Sequence, residues 1–256
     1  MFFNSKKIFP TLFLLFILQI SNAQIVNVED RRVRLKDSIT TTGFVDLGLN
    51  IYKNDKNLTT ARASAQLESV RGKHLFLLLL GYNFVKGEGQ NFLNDGFTHF
   101  RHNYEINNHF IWEAFTQAQY NERTKVRFRG LVGTGGRVKI RLSDVQRFYI
   151  GVAYMFERNV FNDVTTTQND FRMSSYLSYN VKISSNAKIV HTTYFQPVFE
   201  NWNNNRVSSE VSFLMGITKK LVFKVTANIS YDNDPRLPET IPDLVYSWTN
   251  GLRWDF

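Results

Sequence analysis

The feature that most constrains this chain is a period of two that recurs from residue 43 to the last residue. In Val45-Asp46-Leu47-Gly48-Leu49-Asn50-Ile51 the odd positions are apolar, and Leu221-Val222-Phe223-Lys224-Val225-Thr226-Ala227-Asn228-Ile229 repeats the pattern. Successive side chains of an extended strand point to opposite faces, so each such segment has one apolar and one polar face. The last segment shows it most clearly. Leu244, Tyr246, Trp248, Leu252, Trp254 and Phe256 share one face, with Asn250 the only polar member. Val245, Ser247, Thr249, Gly251, Arg253 and Asp255 share the other.

Twelve segments are predicted as strands: 43–53, 58–70, 74–86, 96–106, 110–121, 126–140, 147–158, 171–182, 187–197, 206–217, 221–232 and 244–256. A tilted membrane strand needs about 9–11 residues, and each segment meets or slightly exceeds that. Connections after even-numbered segments are short, as in Arg71-Gly72-Lys73 and Ser184-Ser185-Asn186. Longer polar connections are expected after the third, seventh, ninth and eleventh segments, at 86–91, 159–170, 198–205 and 232–243. Short turns at one rim and longer loops at the other characterise outer-membrane barrels. Beyond residue 23 the prolines are Pro197, Pro235, Pro238 and Pro242, all at a strand end or in a long loop, where no ladder donor is lost. Aromatic residues make up 15% of the chain, which suits strands and membrane girdles.

The N-terminal stretch predicts export. Lys6 and Lys7 precede an apolar run over 8–20, and Ser21-Asn22-Ala23 offers a small-x-small cleavage site. That run is too short for a spanning helix, which needs about 20 apolar residues. The expected organisation is a signal peptide over 1–23, a periplasmic segment over 24–42 and a transmembrane barrel over 43–256. Cleavage removes two lysines and lowers the +9 net charge by two. The chain has no cysteine, so an exported fold must hold without disulfides, as a barrel with no free edge can. The fold class expected is therefore all-β: an up-and-down antiparallel transmembrane barrel of about twelve strands.

Several motifs resemble a known family. They are Phe97-Thr98-His99-Phe100-Arg101-His102-Asn103-Tyr104, Trp112-Glu113-Ala114-Phe115-Thr116-Gln117, Gly133-Thr134-Gly135-Gly136-Arg137, Arg172-Met173-Ser174-Ser175-Tyr176, Thr192-Thr193-Tyr194-Phe195-Gln196-Pro197 and Asn250-Gly251-Leu252. Together they resemble the salt-induced outer-membrane proteins of Gram-negative bacteria, a domain of unknown function. The resemblance runs over 42–256 and is most specific in the middle. It departs at His102, where the family pattern has tyrosine, and at Gly136, where it has proline. It implies a barrel in the outer membrane and supplies no reaction and no catalytic residues. Independently of the family, the terminal aromatic strand, through Trp248, Leu252, Trp254 and Phe256, looks like a signal for the barrel assembly machinery. The implied partners are that machinery and outer-membrane lipid.

If the apolar faces meet lipid, the lumen receives the charges. These include Arg62, Arg101, Arg127, Arg129, Arg137, Arg172, Arg206, Lys224 and Arg253, with Asp46, Glu68, Glu105, Glu113, Glu157 and Glu210. The expected network is Arg101, Glu113, Arg127, Arg129, Arg137, Glu157, Arg172, Arg206 and Glu210. Charges of both signs interleave, which favours a lumen substantially filled by ion pairs; a narrow basic passage for anions is the competing reading.

No catalytic, cofactor or metal site is read from the sequence. His99 and His102 are three apart on a strand and point to opposite faces. Gly130 to Gly136 lacks the Lys-Ser/Thr ending of a phosphate loop, and its glycines suit close packing in a sheet. No arginine-rich tail or recognition helix suggests nucleic acid. Two alternatives stay open. One is a lipid-acting enzyme at His191 and Thr193, which needs a serine from another strand; the other is a soluble secreted β-barrel or sandwich that binds a ligand. Oligomeric state is not legible.

Overall fold

The computed structural model describes residues 40–53, 57–87, 90–122, 124–141, 143–162, 167–236 and 243–256. The expected signal peptide and nearly all of the periplasmic segment lie outside them. The described residues form twelve strands: β1 (Thr40–Lys53), β2 (Asn57–Arg71), β3 (His74–Gly87), β4 (Gln90–Glu105), β5 (Phe110–Asn121), β6 (Val126–Arg141), β7 (Gln146–Phe161), β8 (Gln168–Lys182), β9 (Ala187–Val198), β10 (Asn201–Gly216), β11 (Leu221–Asn233) and β12 (Leu244–Asp255). Each pairs antiparallel with its sequence neighbours, and β1 meets β12 to close the barrel. The expected strand count and order are those observed.

The apolar faces point outward as the period of two requires. Leu47 is 80% and Ile51 71% exposed, and the outward face of β12 carries Leu244, Tyr246, Trp248, Leu252, Trp254 and Phe256. Arg253 of the same strand is buried inward. β3 is apolar on both faces: Leu77 and Leu79 are fully buried while Leu80 is exposed outside. The lumen is therefore partly oily along this wall.

The strands run longer than expected at both rims. β1 starts at Thr40, so the last three residues assigned to the periplasmic segment are already in the sheet. β4 begins at Gln90, leaving only 88–89 between it and β3. β9 and β10 are joined by Phe199 and Glu200 alone, with a register shift between Asn201 and Asn205 opposite Pro197. The polar stretches expected as loops after the third and ninth segments are thus largely sheet. Polarity reports where water is, and a backbone ladder continues in water as readily as in lipid. At the opposite rim the turns are as short as expected; Gly72 adopts φ of 58° in the two-residue link between β2 and β3, a conformation that favours glycine.

Glycines let aromatic rings lie flat on the wall. Gly133 faces Phe115 across the β5–β6 ladder, and a Cβ there would meet the ring at 2.4 Å. Gly151 faces Tyr176 across β7–β8, where the corresponding distance is 2.2 Å. Such cross-strand rings cover the gap that glycine leaves in a sheet. The close-packing role expected for the glycines of β6 is seen at Gly133.

The closing seam is short. Phe44 pairs with Asp255 and Val45 with Trp254, and Gly43 and Phe256 exchange N–H···O bonds of 3.2 and 3.0 Å. The ladder stops there, whereas β1 pairs with β2 along its whole length.

Candidate functional site: a charged network across the lumen

The inward faces of β4 to β10 carry two carboxylates that organise the lumen. Glu113 of β5 lies 3.4 Å from Arg101 on β4 and 3.6 Å from Arg137 on β6. It also accepts a 2.7 Å hydrogen bond from Tyr176 on β8. Because β5 and β8 are not neighbours, that last contact crosses the lumen. Aromatic faces support both guanidiniums: Arg101 sits 4.9 Å over the Phe115 ring and Arg137 sits 4.2 Å over Tyr149. Cation–π contacts of this kind are stronger where water is excluded.

The second carboxylate is Glu157 of β7, which is fully buried. Three guanidiniums surround it: Arg206 at 3.0 Å, Arg172 at 3.6 Å and Arg129 at 3.8 Å. Arg206 comes from β10 and also crosses the lumen. Asn159 bridges the cluster, donating to Glu157 at 2.8 Å and accepting from Arg129 at 2.5 Å. A buried charge is tolerable only when paired and hydrogen-bonded, and Glu157 meets both conditions.

Toward the loop rim the network continues through aspartates. Arg206 pairs with Asp232 at 2.8 Å, and Arg172 with Asp170 at 3.4 Å and Asp234 at 3.8 Å. Arg236, in the connection after β11, lies 2.7 Å from both Asp170 and Asp234. Burial pushes the Asp234 carboxyl up, but hydrogen bonds from the Arg236 side chain and backbone outweigh it and hold the group below its ordinary value. Those same contacts, to Asp234 and then Asp170, raise Arg236.

Of the nine residues expected in the network, Arg101, Glu113, Arg129, Arg137, Glu157, Arg172 and Arg206 form these clusters. Glu210 is half-buried and accepts from Ser212 and Asn228, each at 3.5 Å. Arg127 is a correction. β6 has a bulge there, so that Val126 faces Phe161 and Phe128 faces Val160. The extra residue breaks the alternation and leaves Arg127 exposed. Arg62 is also exposed and donates to Asn83 at 3.0 Å. Sequence reasoning missed Tyr176, Asn159, Asp232, Asp234 and Arg236. Asp170 was detectable, two residues before Arg172 and so on its face; nothing marked Arg236 in its proline-flanked loop.

The histidines separate as expected. His99 is buried inside, while His102 faces outward, stacked on Phe76 and 2.9 Å from His74. His191 also faces outward. Its Nε2 lies 3.0 Å from Ser209 Oγ on β10 and 3.1 Å from Thr193 Oγ1, and the two hydroxyls are 2.9 Å apart. The sequence had left the origin of such a serine open.

A family profile described as "Protein of unknown function, DUF481" matches residues 45–248. The chain belongs to the DUF481 family. No curated protein matches this DUF481 chain. Among solved structures, the translocator domain of the autotransporter NalP from Neisseria meningitidis has a TM-score of 0.50 at 7% identity, covering 90% of this chain and 92% of that one. The KdgM porin in complex with disordered oligogalacturonate has a TM-score of 0.48 at 8% identity, covering 85% and 99%. The NanC porin has a TM-score of 0.48 at 9% identity, covering 84% and 97%. The described residues of this DUF481 domain form a closed twelve-strand antiparallel barrel, a fold similar to that of the NalP translocator domain.

Proposed function

We propose that this DUF481 protein is an outer-membrane barrel whose lumen is crossed at two levels, by an ion pair and by a hydrogen bond, so that it passes only small solutes, anions ahead of cations. One observation carries the reading: Arg206–Glu157 and Tyr176–Glu113 join strands that are not neighbours, so they span the lumen. Twelve strands lie between barrels that side chains fill and barrels that leave a wide channel, and here side chains cross the lumen at two levels. The outward apolar face supports burial in lipid and speaks against a soluble barrel. The short-turn rim then faces the periplasm, with the outward aromatic face of β12 and the adjoining Phe256 as a surface for the assembly machinery. A stress-associated role in the cell envelope follows from the family resemblance.

The test is planar-bilayer recording of the refolded chain in a salt gradient. Small, discrete, anion-favouring steps are expected. Wide-channel conductance, cation preference or a silent bilayer would overturn the pore. Membrane fractionation with heat-modifiable gel migration tests the location, since a soluble protein would leave the membrane pellet.

The contact of His191, Ser209 and Thr193 favours a second reading, a lipid-acting enzyme. An ionisable side chain facing the bilayer is expensive and calls for a role. In this reading Ser209 is the nucleophile and His191 its base. Lipid hydrolysis abolished by both Ser209→Ala and His191→Ala would support it; activity that survives both would remove this site.

A further inference from the structure

Between the two clusters the lumen keeps a small cavity of about 30 Å³, walled in part by Arg101, Arg129, Arg206, His99, Gln117 and Gln196. Every charged side chain in this wall is a guanidinium. The carboxylates that pair with them, Glu113 and Glu157, are not part of it. Each arginine is more than nine-tenths buried.

Each guanidinium of the wall is paired with a carboxylate outside it. Glu157 carries one negative charge for Arg129, Arg172 and Arg206, and Glu113 carries one for Arg101 and Arg137. Arg172 and Arg206 gain further carboxylates, Asp170, Asp232 and Asp234, but those stand toward the loop rim. Neutral donors complete the wall. His99 Nδ1 lies 3.0 Å from Gln117 Oε1, and Arg101 donates toward His99 Nε2 at 3.4 Å, so the imidazole is held as one donor and one acceptor. Gln196 reaches Ser174 through its amide at 2.9 Å. Buried guanidiniums and amides bind an oxyanion strongly, because their donors are already oriented and charges there are weakly screened.

We infer that this cavity is a binding site for a small, phosphate-sized oxyanion. The site deepens the narrow-lumen reading, since the ligand reaches it through the lumen, but it does not require through-conduction. The oxyanion accepts from the guanidinium and amide donors of the wall.

The experiment uses the full folded chain in detergent micelles, with sodium phosphate as probe against sodium chloride at matched ionic strength. The readout is the temperature at which the fast-migrating folded band gives way to the unfolded one. Saturating phosphate should raise it by about 4 °C, because a ligand that binds only the folded state stabilises it by mass action. The decisive variant is Gln117→Glu, which places a carboxylate in the wall without removing an ion pair. It should melt higher than the parent in chloride and lose the phosphate shift. A general salting effect would persist in that variant. No phosphate shift in the parent, or a full shift in Gln117→Glu, overturns the site. If Gln117→Glu does not fold, Arg129→Gln replaces it; loss of the shift supports the site and retention overturns it. Bilayer recording separates the two proposals. A phosphate shift without conductance keeps the site and removes the pore; conductance without a phosphate shift does the reverse.

Discussion

Tyr176 gives its hydroxyl hydrogen to Oε2 of Glu113 at 2.7 Å, across 63 residues of sequence and from one wall of the barrel to another. The ring can reach because Gly151, its partner on β7, leaves the space it occupies. The same hydroxyl lies 3.5 Å from Arg137, so one tyrosine ties a carboxylate and a guanidinium together.

Tyr176→Phe should therefore destabilise the barrel by about 2 kcal/mol, the range for a hydrogen bond to a charged group. Gly151→Ala should cost at least as much, since its new Cβ would push the ring away. Urea titration of the folded, fast-migrating band measures both. A double variant no worse than the worse single variant would show that both act through the same contact.

Glu157→Gln keeps the shape of the second cluster and removes its charge. Three buried guanidiniums then lose their common partner, which should cost about 3–5 kcal/mol. Its urea midpoint should fall further than that of Glu210→Gln, because Glu210 is only half-buried. If the variant still inserts, its conductance steps should shift further toward anions.

The Asp234–Arg236 contact gives the loop rim a pH dependence. The Asp234 carboxyl is held below its ordinary value of 3.8. A depressed carboxylate contributes stability that is fully present above its unfolded pKa and is lost as pH falls through the folded one. The contact should hold at neutral pH and loosen below about pH 4. Amide hydrogen exchange of Arg236, whose N–H donates to the Asp234 carboxylate at 3.0 Å, should rise in that window once corrected for the intrinsic pH effect. Arg236→Gln should show the faster exchange already at neutral pH.

The seam offers a test by cross-linking, helped by the absence of native cysteine. Gly43 and Phe256 exchange both hydrogen bonds, so Phe44 and Asp255 form the next, non-hydrogen-bonded pair, whose side chains stand close. Phe44→Cys with Asp255→Cys should oxidise readily. Gly48→Cys with Gly251→Cys lie beyond the end of the ladder and should oxidise much more slowly. Equal rates would show that the seam zips further.

Much of the fold was legible in the residues. The twelve periodic segments are the twelve strands, and Trp248, Leu252 and Trp254 face outward with Arg253 inward. The loops were less legible. Asn201 to Asn205 is polar enough to resemble a loop, yet its backbone pairs as sheet. For the site, alternation gave the inward face of eight of the nine residues expected in the network. It failed at Arg127, because a bulge shifts the count by one and leaves no mark in composition.

The sequence by itself determined the faces and the order of the strands. Side-chain alternation and short connections are local, and each can be read within a few residues. Only the tertiary structure decided which charges meet. Glu157 finds Arg206 on β10, and Glu113 finds Tyr176 on β8, through the curvature and stagger of a closed sheet. Those are set by all twelve ladders together, and so are the cavity between the clusters and the basic wall that faces it.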